Sequence, residues 1–267
     1  MVARRSPQLF SWNKIYICLP VGIAFGLKVV IGLAALRDTP TEIYMLFHAT
    51  NILFIAMAAW IMVGEKPTCL GEILALFGIA VGSVLSMSKS FFGSTEDSTP
   101  IGLMAFLLNM TNGIFAGLVV ATLRWTTLQM KTIDISIAEI TNLQILIAAA
   151  FVLPLAFLHD GTVIFSLHLS QFKWLFISSS IMLIYHLALS LVCALTSLLT
   201  VGIIEAIKPL PAFIVVAIVK QVPKSDVWFW LGTLITLASS VYFKVSRTIH
   251  MKGLRRSGSR QSLLGGK

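Results

Sequence analysis

Eight apolar blocks, each close to the length of a membrane-crossing helix, follow one another along this chain of 267 residues. A helix needs about 20 predominantly apolar residues to cross the hydrocarbon core of a bilayer. Short segments with Pro, Gly, Asp or charged residues separate the blocks, as turns do. The blocks comprise residues 15–36, 43–63, 70–87, 101–123, 137–158, 174–194, 198–219 and 227–243. The pattern predicts an all-α, polytopic membrane protein with about eight transmembrane helices.

The composition favours a single membrane domain. The chain is 57% hydrophobic and only 12% charged, with a mean hydropathy of +0.90, which is more apolar surface than a soluble domain needs. We predict a cytosolic N-terminus at 1–14, a transmembrane domain at 15–246 and a basic cytosolic tail at 247–267. The tail is expected to be disordered because it has no apolar periodicity. The first block is too long for the core of a signal peptide and is expected to be retained.

Signatures of an enzyme or a metal site are not found in the sequence. The three cysteines, Cys18, Cys69 and Cys193, have neither the spacing of a metal site nor that of a disulfide framework. No HExxH motif, phosphate-binding glycine loop or nucleophile–base arrangement occurs. We therefore predict a protein that is not an enzyme and that uses no cofactor and no metal.

The formal net charge of +9 indicates how the chain is oriented. In a soluble protein this charge would suggest a nucleic-acid partner, but here it follows the turns. If both termini are cytosolic, 13 of the 20 lysines and arginines fall on the cytosolic side and five on the other. This asymmetry agrees with the positive-inside rule. The sequence predicts cytosolic termini, a lipid bilayer as surroundings and no nucleic-acid partner.

Lys208 is the most informative charged residue, since it lies near the middle of the block at 198–219. An ionisable residue at bilayer depth costs several kcal/mol unless it is paired or faces water. Pro209 and Pro211 follow it directly, and each leaves a backbone carbonyl without its helical partner. We expect Lys208 to bind an anionic solute. The alternative is a purely structural ion pair with Glu205, which precedes it by one turn.

Further polar residues within the apolar blocks could complete a binding pocket. Tyr44, His48 and Asn51 share one helix face at i, i+4 and i+7. The other candidates are Asn109, Asn112, His186 and Lys28. Lys28 is far from both ends of its block, so we expect it either to pair, for instance with Glu205, or to face the same cavity. For each asparagine the alternative is an interhelical hydrogen bond without a role in binding.

An internal repeat relates two pairs of blocks. In each pair, a helix with a polar or charged central site is followed by an apolar run, a Pro-containing turn and a helix rich in small residues. The first pair spans 44–85 and the second 200–243, and the predicted topology inserts them in opposite directions. Inverted repeats of this kind place a substrate between two halves that alternate in access. Gly71, Gly78 and Gly82, with Ala75, form a face suited to close helix contact.

Several stretches resemble one family of transporters. They are LPVGIAFGL, GEKPT, LRWTTLQ, LTSLLTVGIIEAIKPL and LGTLITLASSVYF. Together they resemble the drug/metabolite transporter superfamily and, within it, the triose-phosphate and nucleotide-sugar transporter family. LRWTTLQ is similar to a segment of GDP-fucose-transporter-like members. The resemblance covers about residues 19–246 and matches the third to tenth of the family's ten helices, so the first two helices have no counterpart.

The resemblance implies an inverted-repeat bundle that exchanges a nucleotide sugar for a nucleoside monophosphate across a Golgi or other endomembrane. Lys208 matches the family's substrate-contacting lysine, whereas His48 stands where the family often has a second lysine. The implied partner is a small anionic substrate, and the resemblance also allows a homodimer. Two alternatives stay open. One is a sugar-phosphate/phosphate translocator, which the lack of a transit peptide disfavours. The other is a truncated membrane protein that does not transport.

Overall fold

A computed structural model of the protein describes residues 11–39, 41–67, 69–92, 102–165, 169–207 and 227–264. Within these ranges the regular structure is entirely helical, with no strand. The helices are α1 Trp12–Asp38, α2 Thr41–Ala58, α3 Leu70–Phe92, α4 Leu103–Leu128, α5 Met130–Ile133, α6 Ile137–Phe165, α7 Leu169–Leu195, α8 Leu198–Ile207 and α9 Val227–Leu264. A π-helical turn, Ala59–Val63, extends α2. The all-α prediction is confirmed.

Each predicted apolar block corresponds to one helix of this order, and α5 is a short turn between the fourth and fifth blocks. Four helices are long and apolar enough to cross a membrane. These stretches are Trp12–Asp38, Leu103–Leu128, Ile137–Leu158 and Gln171–Leu195. Two shorter apolar helical stretches are Thr50–Val63 and Leu70–Leu85. The described part of the chain is thus all-helical, with four helices able to span a bilayer, as in a helical membrane protein.

The C-terminal end of the chain differs from the sequence-based expectation. The last apolar block was expected to end at Phe243, with a disordered tail at 247–267. In the structure α9 continues to Leu264. The segment after Phe243 contains no proline, and its Lys, Arg, Met, Leu and Gln residues are good helix formers, so local propensity can prolong the helix despite the lack of an apolar face.

The two predicted repeats pack directly on each other. α2 packs against α8, and α3 makes its most extensive contacts with α9. Both pairs are antiparallel. The start of α8 lies beside Glu65, which follows the end of α2, and Gly202 lies beside Ile52 and Ile55. The start of α3 lies beside the end of the apolar part of α9. Corresponding helices of the two predicted repeats are therefore neighbours with opposite directions.

The small-residue face of α3 forms its contact with α9, as the sequence predicted. Gly71 faces Ser246, Gly78 faces Ser239 and Gly82 faces Thr236. A Cβ atom on Gly82 would lie 2.7 Å from the carbonyl oxygen of Gly232, closer than a side chain can approach. Small residues are what allow two helix backbones to come this near.

α1 lies between α4 and α6, while α2 crosses α4. Gly22 and Gly26 of α1 face α6, and Gly113 and Gly117 of α4 face Phe54 of α2. Much of the buried core lies towards the end of the bundle where α1 and α6 begin and α7 ends. Core residues in this region include Cys18, Val21, Ala59, Leu123, Ile140, Leu143, Cys193, Leu198 and Leu199.

Candidate functional site

One face of α1 connects the polar residues in the middle of the bundle. Phe25, Lys28 and Gly32 are spaced at i, i+3 and i+7 and so lie on the same side of the helix. The Phe25 ring packs edge-on against the His186 ring of α7, with centroids 4.5 Å apart. Gly32 lies against Tyr44 of α2 and Asn112 of α4. The half-buried Lys28 therefore lies between two polar groups of residues.

The first group, which we name the Asn112 cluster, is formed by α1, α2 and α4. Its members are Tyr44, His48, Asn51, Asn109 and Asn112. Asn112 Oδ1 and the Tyr44 hydroxyl both lie against Gly32 of α1. The Tyr44 and His48 rings pack edge-on with centroids 4.7 Å apart, and Asn51 Nδ2 lies 3.0 Å from His48 Nδ1. These contacts make a continuous polar seam along α2.

Two asparagines of the Asn112 cluster are buried with part of their hydrogen-bonding capacity unused. Asn109 Nδ2 donates to Thr39 Oγ1 and to the Ala105 carbonyl, both at 2.8 Å. Among the described residues, neither Asn109 Oδ1 nor Asn112 Oδ1 has a hydrogen-bond partner. Each of these side chains belongs to a residue that is only 3% exposed. Buried acceptors of this kind are uncommon in folded proteins and call for a physical explanation.

The second group, the Glu205 cluster, is formed by Tyr185 and His186 of α7 and Glu205 of α8. Tyr185 Oη donates to Glu205 Oε1 at 2.5 Å, which holds the carboxylate of α8 against α7. The His186 ring lies between the Phe25 ring and the Tyr185 ring, whose centroid is 5.3 Å away. A carboxylate, a phenol and an imidazole thus meet beside α1.

The predicted site residues are distributed over these two clusters. The structure brings five of them together in the Asn112 cluster, places His186 and Glu205 in the other, and places Lys28 on the face of α1 between them. Lys208, Pro209 and Pro211 lie outside the described residues, so the expected role of Lys208 stays a prediction. No group of three or more His, Cys, Asp or Glu residues within the described ranges could hold a metal ion.

Two serines of α7 lie at helical spacing from His186 but do not join the candidate site. Ser190 follows His186 by one turn and accepts a hydrogen bond from Thr141 of α6 at 2.8 Å. This contact joins two helices and leaves no need for a ligand. Ser179 is exposed on the surface of α7.

The sequence reasoning missed a set of charged contacts where α1 and α6 begin and α7 ends, which we name the end network. Arg124 of α4 donates through Nη1 to the carbonyls of Cys193 and Ala194, at 2.7 and 3.2 Å. Its Nε lies 3.6 Å from Glu65 Oε1. Glu65 Oε2 in turn accepts a hydrogen bond from the backbone N–H of Leu198 at 2.8 Å. One ion pair therefore binds both the end of α7 and the start of α8.

The end network also includes the start of α6. Lys14 Nζ lies 2.8 Å from Glu139 Oε1 and joins α1 to α6. Glu139 Oε2 accepts from the backbone N–H of Ser136, whose hydroxyl accepts from the backbone N–H of Glu139. This reciprocal arrangement is a capping box, and the spacing Ser-x-x-Glu before an apolar run could have revealed it from the sequence.

Gln144 of α6 is a second residue that the sequence reasoning missed. It is fully buried, and neither its Nε2 nor its Oε1 has a hydrogen-bond partner among the described residues. It lies on α6 one turn beyond Thr141, and a single amide within a long apolar run gave no signal of this unusual environment. Like the two asparagines, it marks a polar interior in an otherwise apolar bundle.

In comparisons with protein-family models and with curated proteins, the chain matches none of them. The fold and the site of the described residues define the class of this protein. They form an all-helical bundle with four helices able to cross a membrane, two antiparallel helix pairs in contact, and a polar interior that contains a lysine and a glutamate.

Proposed function

We propose that this protein is a membrane transporter of a phosphate-bearing organic anion, and that it exchanges a nucleotide sugar for a nucleoside monophosphate. The observation that supports this most is the position of Lys28. It lies on the face of α1 between the two polar clusters, about 15 Å or more from either end of the helix at 1.5 Å per residue. An ionisable residue at such depth in an apolar bundle is a functional-site candidate, and we propose that the substrate anion binds there.

The chemistry of the two clusters suits a substrate of this class. An ammonium group attracts phosphate as a point charge. Amides and a phenol, such as those of Asn112 and Tyr44, can hydrogen-bond the hydroxyl and amide groups of a sugar or a base. Glu205 supplies the opposite charge within the same interior, as a transporter needs if its cation is to be neutralised between substrates. We propose that these residues act as one central site.

The arrangement of the helices supports alternating access around that site. We propose that all eight apolar blocks of the sequence span the membrane, with α2–α3 and α8–α9 as parts of two inverted repeats. The antiparallel contacts of α2 with α8 and of α3 with α9 support this relation. Glu65 in the turn after α2, Arg124 near the end of α4 and Lys14 at the start of α1 belong to the end network. We propose that this end of the bundle is cytosolic, as are both termini, in a Golgi or other endomembrane.

The test is exchange by the purified full-length protein in proteoliposomes. We expect vesicles loaded with a nucleoside monophosphate to take up labelled nucleotide sugar without ATP, and empty vesicles to take up far less. The same vesicles are offered a triose phosphate against inorganic phosphate, which is the reaction of a sugar-phosphate translocator. Faster exchange of the triose phosphate would replace the substrate class. Absence of exchange with every substrate would favour the alternative of a membrane protein that does not transport.

A further inference from the structure

The Asn112 cluster contains a point at which two polar atoms converge on a residue without a side chain. A Cβ atom on Gly32 would lie 3.2 Å from Asn112 Oδ1 and 3.2 Å from Tyr44 Oη. Both oxygens therefore face the same side of α1, immediately over the Gly32 backbone. No side chain of α1 covers these two oxygens, because residue 32 is a glycine.

The hydrogen-bonding capacity of these two atoms is complementary to a hydroxyl group. Asn112 Oδ1 is an acceptor that is buried and has no partner among the described residues. Tyr44 Oη faces the same point, and a phenol has its own proton to donate. A hydroxyl can donate to Asn112 and accept from Tyr44 at the same time. A carboxylate or phosphate oxygen cannot, since it has no proton to give to Oδ1.

A second acceptor of the same kind lies one turn away on α4. Asn109 Oδ1 is also buried without a partner in the described ranges, and the Asn109 amide nitrogen is fixed by Thr39 at the end of α1. Along α1, Lys28 precedes Gly32 by one turn, or about 6 Å. Along α1 and α4, Lys28 is therefore followed by the two oxygens at Gly32 and then by Asn109 Oδ1. A sugar phosphate carries its phosphate and its successive hydroxyls in the same order.

We propose that Gly32, Tyr44 and Asn112 form a subsite that binds a sugar hydroxyl of the transported anion, with Asn109 receiving a second one. This inference rests on the proposed function for the identity of the anion. The hydroxyl belongs either to the ribose of the nucleotide or to the sugar that it carries. The two sources share one chemistry, and the choice of ligands distinguishes them.

The test uses ligand-induced thermal stabilisation of the purified full-length protein, together with exchange in proteoliposomes. Nucleotide sugars and nucleoside monophosphates of the guanosine, uridine and cytidine series are tested first. The pair that stabilises the protein most is then compared with the 2′,3′-dideoxy monophosphate of the same base. Gly32→Ala places a methyl group over the two oxygens, and alanine is compatible with the helix. Asn112→Leu removes the acceptor by a separate route.

We expect both variants to weaken binding of the nucleotide sugar about tenfold, the effect of one lost hydrogen bond. If the monophosphate is weakened equally and its dideoxy analogue is unaffected, the subsite binds the ribose. If the monophosphate is unaffected, it binds the carried sugar. Gly26→Ala is the matched control. A Cβ there would be 3.3 Å from Phe151 Cδ1, with similar crowding but no polar oxygen of a side chain, and ligand affinity should not change.

An unchanged affinity in Gly32→Ala and Asn112→Leu, or an equal loss for the dideoxy ligand, would overturn the subsite. Stabilisation that depends on Gly32 without any exchange would leave the subsite standing and refute the transport function. Exchange that neither variant alters would leave the transport function standing and refute the subsite. If no ligand of the three series stabilises the wild-type protein, both proposals fail.

Discussion

The end network and the Asn112 cluster use polar residues in opposite ways. In the end network, Lys14 pairs with Glu139, and Arg124 and Glu65 cap two helix ends while facing each other. Arg124 Nε has no hydrogen bond within the described ranges, but it faces the Glu65 carboxylate. In the Asn112 cluster, two buried asparagine oxygens have no partner among the described residues. Paired and capping polar groups stabilise a fold, whereas a buried acceptor without a partner is destabilising. We therefore propose a structural role for the end network and a binding role for the Asn112 cluster.

Among the variants that test this comparison, we expect the largest loss of exchange at Lys208. If Lys208 binds the substrate, Lys208→Ala should reduce exchange by about 100-fold or more, and Lys208→Arg should retain part of it, because the charge remains but its shape changes. If Lys208 only neutralises Glu205, exchange should return in the double variant Glu205→Ala/Lys208→Ala, since neither charge is then left alone.

The assay for Lys208 is exchange in one preparation of vesicles with equal amounts of inserted protein. Recovery in the double variant would mean that Lys208 has a structural role, as the paired charges of the end network have, and does not bind the substrate. A double variant that is as inactive as Lys208→Ala confirms the binding role.

A smaller effect, on stability and not on transport, is expected at Arg124. Replacement by alanine removes the cation that caps the end of α7 and leaves Glu65 without its ion pair, so we expect a loss of about 1–3 kcal/mol in the free energy of unfolding. Thermal unfolding of the purified protein measures this loss. Arg37 is the control, because its ion pair with Asp38 is exposed and Arg37→Ala should change stability little. A shift in substrate preference in Arg124→Ala, at unchanged stability, would contradict the structural role.

The sequence predicted those parts of the fold that local patterns determine. Block length and the turns between blocks gave the helices, and the spacing of Gly71, Gly78 and Gly82 gave the contact face of α3. The resemblance between 44–85 and 200–243 related α2 to α8 and α3 to α9, but it did not predict that these helices pack on each other. The end of α9 was missed, since the apolar pattern stops at Phe243 while the helix does not.

Within the candidate site, the sequence identified which residues are polar but not how they are satisfied. Tyr44, His48 and Asn51 were grouped correctly because one helix periodicity relates them. The contact of Arg124 with the end of α7, and of Glu65 with the start of α8, joins residues far apart in the chain, and no local pattern encodes it. The contacts of Gly32 with Tyr44 and Asn112 were also missed, since they join three helices and no local pattern indicates them.

The central claim is that Lys28 binds the transported anion, and two lysines of the same helix test it most directly. Lys28 and Lys14 are each changed to alanine, and the exchange rate and the unfolding temperature are measured for both variants. The account predicts that Lys28→Ala loses exchange by about 100-fold or more while still inserting into the membrane, because loss of a deep charge does not oppose insertion. Lys14→Ala should keep exchange and lose some stability along with its ion pair to Glu139. Full exchange in Lys28→Ala, or equal loss of exchange in both variants, would contradict the account.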